Sequence, residues 1–136
     1  MITNRTFISV ESVLHQFYGA LNFDALAEPD YECILECFHP DAIITPPICD
    51  TGGKLCAFSG VEFIAHMKGL LAGLDSGREY QVSAQHEIFG NVANAFSRYE
   101  FAVGDKVVSS GVNSFQFMRD DQRWWIMSLA WDRESK

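Results

Sequence analysis

The chain has 136 residues, of which 48% are hydrophobic, and its formal net charge is −8. This length predicts one compact α+β domain spanning residues 1–136 rather than two domains. The negative charge argues against nucleic acid and against anionic membranes as partners, because both attract clustered Lys and Arg. No apolar run approaches the roughly 18 residues that cross a bilayer, and the N-terminus lacks the apolar segment of a signal peptide, so we expect a cytoplasmic protein.

Helical periodicity dominates the first half of the chain. Apolar residues at helical spacing predict a first helix over residues 10–22, with Ser9 as its N-cap. A second, shorter helix is predicted to begin after Asp30. The stretch "HPDAIITPP" then ends the helical pattern, because a residue before proline disfavours the helical conformation, and residues 42–45 are predicted to form a short strand.

A change of period divides the chain into a helical part and a strand part. Residues 56–60 are predicted to form a second short strand, and the capping box Ser59-x-x-Glu62 opens a third helix. Two-residue alternation begins at Tyr80 and is interrupted by short turns that contain glycine. Four long strands are therefore predicted, at residues 80–89, 92–103, 107–119 and 124–133. Runs of helices followed by runs of strands indicate an α+β fold, with helices on one face of the sheet.

The cysteines Cys33, Cys37, Cys49 and Cys56 are expected to be reduced in the cytosol. Cys33 and Cys37 stand four residues apart on the second helix, with His39 just beyond, and this spacing can hold a soft metal. A zinc site usually needs two closely spaced pairs, and the second pair here is loose. We therefore interpret these cysteines as small buried apolar side chains and predict no metal and no cofactor.

The order of elements, with "CFHPDAIITPP" after the second helix and a meander ending in "FQFMRDDQRWWIMSLAWDRE", resembles the nuclear-transport-factor-two-like superfamily. Its loose motifs are Asp41 before a short strand, Phe115 and Phe117 before the last turn, and Trp124 and Ile126 after it. The resemblance implies a cone-shaped curved antiparallel sheet with three N-terminal helices packed on its concave face (a cystatin-like α+β barrel), and a pocket between them. The superfamily includes SnoaL-like cyclases, ketosteroid isomerase, limonene epoxide hydrolase and binding modules, so the fold does not select a reaction.

The site of ketosteroid isomerase is only partly compatible with this sequence. By the resemblance, Phe17 stands where that enzyme has its catalytic tyrosine, and Pro46 stands where it has its carboxylate base. Asn113 stands where it has a buried acid that donates a hydrogen bond. A phenyl ring cannot donate a hydrogen bond and proline cannot accept a proton, so steroid isomerisation by that mechanism is not expected.

The turns at Gly104-Asp105 and at residues 120–123 predict a register for the last two hairpins. In this register Arg98 and Asp132 flank Gly111 on one sheet face, which we assign to the pocket because it carries Asn113. The same rule places Gln81, Ser83, Gln85 and Glu87 on that face, and these are unusual core residues, so the faces can also be inverted. The predicted pocket-lining residues are Phe17, Phe96, Asn113, Phe115 and Ser128.

Arg98, Glu100 and Asp132 form the predicted catalytic group. An Arg with two carboxylates resembles the arrangement with which limonene epoxide hydrolase activates water. The alternative is an inert ion-pair network at the rim of the pocket.

We expect a small-molecule-binding domain whose apolar pocket has one polar end and accepts an apolar or polycyclic ligand. Two alternatives stay open: a cofactor-independent isomerase, cyclase or hydrolase, and a protein-interaction or dimerisation module. Both sheet faces are rich in apolar side chains, so the face without helices is expected to be covered by a second copy of the chain. The residues predicted for this homodimer interface are Tyr99, Met127, Leu129 and Trp131.

Overall fold

A computed structural model describes residues 6–134, in which three α-helices precede four long strands. Each long strand begins within two residues of its predicted start, and the first helix ends two residues before its predicted end. A single 3-10 turn, Ile48–Asp50, follows the first strand. The helices and strands are α1 Val10–Ala20, α2 Tyr31–Cys37, β1 Phe38–Thr45, α3 Gly60–Leu71, β2 Arg78–Phe89, β3 Val92–Val103, β4 Lys106–Arg119 and β5 Trp124–Arg133.

The strands form one curved sheet in the order β1-β5-β4-β3-β2. The four long strands are antiparallel neighbours, whereas β1 runs parallel to β5, so the sheet is mixed. The predicted α+β class is confirmed, and β1 adds a parallel edge that the sequence pattern did not indicate. The second predicted short strand reduces to a single bridge, in which Ile44 and Phe58 exchange backbone hydrogen bonds of 2.9 and 2.7 Å.

The predicted N-caps all form. Ser9 accepts a hydrogen bond from the N–H of Ser12 at 3.0 Å, and Asp30 caps α2. At the start of α3, Ser59 accepts from the N–H of Glu62 at 3.2 Å, and the Glu62 carboxylate accepts in return from the N–H of Ser59 at 2.8 Å. These bonds satisfy backbone donors that a helix leaves free at its first turn, and they fix where each helix begins.

Phe17 fixes α1 on the sheet. Its side chain is 2% exposed, and the rings of Tyr18, Phe38 and Phe115 meet it edge-on at centroid distances of 5.4 to 5.9 Å. Such edge-to-face pairs contribute beyond the burial of apolar area, by about 0.5–1.5 kcal/mol each. The packing of these aromatic rings sets the distance between α1 and the sheet.

Three β-bulges decide which side chains face the helices. Each leaves one residue without a cross-strand partner: Val82 in β2, Val108 in β4 and Met127 in β5. Side chains alternate along a strand, so one extra residue reverses the two faces for every residue beyond it. We call the face toward the helices the inner face and the opposite face the outer face.

The predicted register is correct beside the turns and wrong beyond the bulges. Val103 pairs with Lys106, as predicted. Further along, Gly111 lies between Tyr99 and Arg133 instead of between the predicted Arg98 and Asp132. The predicted faces are therefore correct for the inward side chains of β4. They are inverted for β3 beyond the bulge in β4, and for the C-terminal part of β5. The side chains that occupy the inner face there are Ser97, Tyr99, Phe101, Leu129, Trp131 and Arg133.

Candidate functional site

A cavity of about 160 Å³ lies between the inner face of the sheet and helices α1 and α3. It is partly open to solvent, and its wall is mostly apolar. The apolar side chains come from both layers, whereas the polar ones all come from strands. The lining residues are Phe17, Leu21, Phe63, Met67, Leu70, Leu71, Glu79, Tyr99, Phe101, Ser109, Asn113, Leu129, Trp131 and Arg133.

A chain of hydrogen bonds crosses the polar end of the cavity. Asn113 donates through Nδ2 to the hydroxyl of Tyr18 at 2.9 Å and to Oε2 of Glu79 at 3.3 Å. The Tyr18 hydroxyl lies 2.6 Å from Oγ of Ser97, which donates to Oε1 of Gln81 at 2.6 Å. The Ser97 hydroxyl has one hydrogen and uses it in the bond to Gln81. In the bond between Tyr18 and Ser97, Tyr18 is therefore the donor and Ser97 the acceptor. The hydrogen bonds therefore all point in one direction, from Asn113 to Gln81, and they hold the Asn113 amide in place.

Glu79, the second residue of β2, brings a carboxyl group to this polar end. Burial raises its pKa from 4.5 to about 7, and the hydrogen bond from Asn113 and the charge of Arg133 offset this only in part. Near neutral pH the group is therefore present in both protonation states. Burial also raises the pKa of Tyr18 and of Tyr99 to about 12, so both phenols stay neutral.

Arg133 brings a cation to the cavity, and Asp50 on the 3-10 turn holds it. Its two terminal nitrogens lie 2.5 and 2.7 Å from the two carboxylate oxygens of Asp50. These hydrogen bonds lower the pKa of Asp50 and raise that of Arg133. Nε2 of His66 lies 3.8 Å from the same carboxylate and is buried without a hydrogen-bond partner among the residues described. The charge of Arg133 is thus already matched by Asp50.

Gly111 makes room for Tyr99. A Cβ atom at this position would overlap the carbonyl oxygen of Asp132 and would lie 2.8 Å from the Tyr99 hydroxyl. The sequence indicated an empty space beside Gly111, between Arg98 and Asp132. The inner face at this position is instead occupied by the Tyr99 phenol, because the bulge in β4 turns Tyr99 inward.

The structure places Arg98, Glu100 and Asp132 on the outer face, away from the cavity. Arg98 forms an ion pair with Glu134, and Glu100 accepts a hydrogen bond from the Tyr80 hydroxyl at 2.7 Å. Asp132 is exposed and accepts from the backbone N–H of Arg133 at 2.9 Å. The expectation that these three side chains share the pocket is wrong, since the bulges reverse their faces. The assignment of these three residues as a catalytic group depended on that register.

Two of the five predicted pocket-lining residues, Phe17 and Asn113, line the cavity. Phe115 lies behind Phe17 in the core instead of at the cavity surface. Phe96 and Ser128 line a depression on the outer face, so their placement in the pocket is corrected. The β4 residues were assigned to the correct face because the pocket face was chosen as the one that carries Asn113, and Asn113 lines the cavity.

The four residues predicted for a homodimer interface do not form an outer surface. Tyr99 and Leu129 are buried, and both line the cavity together with Trp131. Met127 is the half-buried bulge residue of β5. The prediction of this particular interface is therefore wrong, for the same reason as that of the catalytic group.

Sequence reasoning missed Glu79, Tyr18, Arg133 and Asp50 as residues of a site. Tyr18 was assigned to the apolar stripe of α1, although a buried phenol needs a hydrogen-bond partner, and this was a usable signal. Glu79 was read as part of the turn that ends α3. Nothing in the sequence pattern pairs Asp50 with Arg133, which lie 83 residues apart.

The cysteines are all free, and Cys33 and Cys37 are buried. The hydrogen bond with the Cys33 thiol, together with burial, raises the pKa of the Cys37 thiol. Within residues 6–134, no three side chains of His, Cys, Asp or Glu come together in the arrangement of a metal site. None of the helices in this part of the chain is long and apolar enough to span a bilayer.

Solved structures share this fold over nearly the whole chain. A protein of unknown function with a cystatin-like fold from Nostoc punctiforme aligns with a TM-score of 0.72 and 12% identity, over 96% of this chain and 97% of its own. An NTF2-like protein of unknown function from Shewanella baltica aligns with a TM-score of 0.66 and 15% identity, over 93% and 91%. A protein provisionally named a ketosteroid isomerase from Parabacteroides distasonis aligns with a TM-score of 0.59 and 18% identity, over 82% and 80%.

These likenesses define the class of fold. At such identities they show that the chain has the NTF2-like, cystatin-like architecture, which confirms the resemblance inferred from the sequence at the level of fold. No protein-family model and no curated protein matches the sequence. What the protein does must therefore be argued from the cavity itself.

Proposed function

We propose that the protein binds a small, single-ring molecule in the cavity, with a polar group of the ligand at the end formed by Glu79 and Asn113. The observation that carries this proposal is a mostly apolar cavity that ends in a half-buried carboxyl group, which accepts one hydrogen bond from the described residues. A concave apolar site with a few convergent polar groups is the usual form of a ligand site. NTF2-like folds, with helices laid over a curved sheet, provide such a site between their layers.

The volume of the cavity narrows the choice of ligand. About 160 Å³ is close to the roughly 150 Å³ of an engineered protein cavity that takes up benzene. Sites for drug-sized molecules are larger, at about 300–1,000 Å³. The volume therefore favours one ring with a short substituent over the polycyclic ligand that the sequence suggested.

Proton transfer is a second candidate function, and the pKa of Glu79 favours it. A general acid or base works best when its pKa lies near the working pH, and burial brings that of Glu79 to about 7. Such a carboxyl group beside an apolar cavity suits a cofactor-independent isomerase, cyclase or hydrolase. In this function Glu79 transfers the proton and the amide of Asn113 donates a hydrogen bond, and both residues lie on the inner face.

Filling the cavity tests the binding proposal. We expect Ser109→Leu to lower the affinity for benzyl alcohol at least about tenfold, because the larger side chain occupies space that the ring needs. Ser110→Leu is the matched control, since the neighbouring residue points to the outer face and pairs with Glu100. Titration calorimetry measures both variants and the wild type. If benzyl alcohol, toluene and cyclohexanone all fail to bind the wild-type protein, the proposal is wrong.

We also infer that the outer face binds a second copy of the chain. Phe96, which is 62% exposed, stands near its centre. The cross-strand row through Phe96 is free of charged residues, and the adjacent row carries one, Glu87 on the edge strand β2, although the chain carries a net charge of −8. Aromatic residues and a scarcity of charge mark the centre of protein interfaces, and one patch can meet itself across a two-fold axis. The two rows are Gln85–Phe96–Ser114–Ala130 and Glu87–Asn94–Gln116–Ser128.

A charge at the centre of this patch is expected to dissociate the dimer. Phe96→Glu places a carboxylate against its own copy across the axis, and we expect a monomer by light scattering at concentrations where the wild type is a dimer. Phe89→Glu is the control, because Phe89 is 86% exposed at the end of β2, outside the patch. A wild-type monomer at high micromolar concentration, or a Phe96→Glu dimer, would contradict the inferred interface.

A further inference from the structure

We propose that the cavity selects an organic cation: a single-ring primary amine in its ammonium form, with the nitrogen at the Glu79 carboxylate and the ring among the aromatic side chains. This inference rests on the proposed function, since it names the ligand class of the same cavity. It is supported by the hydrogen-bonding of Glu79, by the nature of the walls and by the balance of charge.

Glu79 has few hydrogen-bond partners for a half-buried carboxylate. An ionised carboxylate can accept about four hydrogen bonds. Within residues 6–134, Glu79 accepts one, the 3.3 Å bond from Asn113. Its remaining acceptor capacity is available to a donor from a ligand in the cavity, since Glu79 lines the cavity wall. An ammonium group supplies three donors and the opposite charge.

The walls of the cavity are unusually aromatic. Cations are attracted to the faces of aromatic rings, and cages of such rings are a recurrent way of binding alkylated ammonium groups. The same rings provide contact for an apolar ring on the ligand. The aromatic side chains in the wall are Phe17, Phe63, Tyr99, Phe101 and Trp131.

The balance of charge at the cavity favours a cation over an anion. Arg133 is the cation in the wall, but both of its terminal nitrogens are engaged by Asp50. With Glu79 ionised, these three side chains sum to one net negative charge, and the whole chain carries −8. A ligand carboxylate would have to displace Asp50 or lie against Glu79, whereas an ammonium group meets no unmatched positive charge.

Several titratable groups surround Glu79 and enter the pH dependence. On the cavity side they are Tyr99 and the pair of Arg133 with Asp50, beside which His66 lies. Glu79 also borders a groove between α1 and β2. The other charged or titratable groups that line this groove are Glu11, His15, Tyr18, Arg78, Tyr80 and His86. The effect of Glu79 is taken as the difference between the wild type and Glu79→Gln, so that the contributions of these neighbours cancel.

Binding of the cation is expected to release a proton. Near pH 6 most of the protein carries a proton on Glu79, and an ammonium group binds the ionised form. The amount released is expected to be about one proton per bound ligand at pH 6 and much less at pH 8. Titration calorimetry in buffers with different ionisation enthalpies measures this number directly.

The test compares benzylamine, benzyl alcohol and benzoate, which share one ring and differ in charge. At pH 8 we expect benzylamine to bind the wild type at least about tenfold more tightly than benzyl alcohol, and benzoate to bind more weakly than either. The preference for benzylamine should shrink at pH 5.5, where Glu79 is protonated. Glu79→Gln should abolish the preference. Glu87→Gln, which removes an exposed charge on the outer face of the same strand, should leave the preference unchanged.

The outcomes separate this inference from the proposed function. If benzyl alcohol binds but benzylamine binds no more tightly at pH 8, the cation inference fails and the binding site stands. If the preference survives in Glu79→Gln, surface charge is its cause and the inference is also overturned. If none of the three compounds binds, both the inference and the proposed function are wrong.

Discussion

The Glu79→Gln variant will be more stable than the wild-type protein at pH 8, by up to about 3 kcal/mol, and will show almost no difference at pH 4. Burial raises the pKa of Glu79 from 4.5 to about 7, so between these values the folded protein holds a proton that the unfolded chain has released. The stability of the wild type therefore falls as the pH rises through this window. Each pKa unit corresponds to about 1.4 kcal/mol, and water in the cavity makes the full value an upper limit.

Urea unfolding at pH 4, 6 and 8 measures this difference in the free energy of unfolding. The variant keeps an amide oxygen that can accept the hydrogen bond from Asn113, so its packing should be preserved. Glu87→Gln is the control, because it removes one carboxylate from the exposed face of β2 and should give no comparable pH-dependent gain. A Glu79→Gln protein that is less stable than the wild type at pH 8 would show that the buried carboxylate is stabilised in the fold.

Gly111→Ala is expected to destabilise the protein by about 3 kcal/mol, the upper part of the usual range for overpacking. The new Cβ would overlap the carbonyl oxygen of Asp132, which belongs to the backbone of β5 and cannot rotate away. It would also press on the Tyr99 hydroxyl, 2.8 Å away. The two strands must separate at the pair formed by Gly111 and Arg133, and the Tyr99 phenol must leave its position in the cavity wall.

Thermal and urea unfolding measure the cost of Gly111→Ala. Gly69→Ala is the matched control, since Gly69 lies inside α3 with open space around its Cα. There the same substitution should be neutral or stabilise by up to about 1 kcal/mol, because alanine favours the helix. If both substitutions have the same small effect, the close approach of β4 and β5 at Gly111 does not constrain the fold. Combining Gly111→Ala with Tyr99→Phe should restore little stability, because the backbone contact with Asp132 persists.

The elements of this fold could be predicted because their signals are local. Ser9 and Ser59 cap helices through residues three positions further along, and periodicity over a dozen residues identifies each helix. The turns at Gly90 and Gly104 require backbone at positive φ, which glycine adopts without strain, so the hairpins were correctly placed. Phe17 and Asn113 were assigned to the cavity through the resemblance to ketosteroid isomerase, which does not depend on the register of the hairpins.

The site was mispredicted because bulges are decided by packing between layers. Ile126 and Leu129 are both buried, at 0% and 2% exposure, although they stand three residues apart in one strand. Strict alternation would expose one of them, and the unpaired Met127 lets both face the core. Seven of the ten residues of β5 are apolar, including four in a row at its start, so its sequence shows no alternation that would reveal the extra residue.

By itself, the amino-acid sequence of this protein determined the helices, the long strands, their turns and the α+β class, since each depends on residues close together in the chain. Only the tertiary structure decided which face of β3 and β5 meets the helices, and with it whether Arg98 or Tyr99 lines the cavity. That choice depends on three unpaired residues whose cost is offset by apolar burial across the sheet. The contacts of Glu79 with Asn113 and of Asp50 with Arg133 follow from it, because they join residues that only the assembled layers bring together.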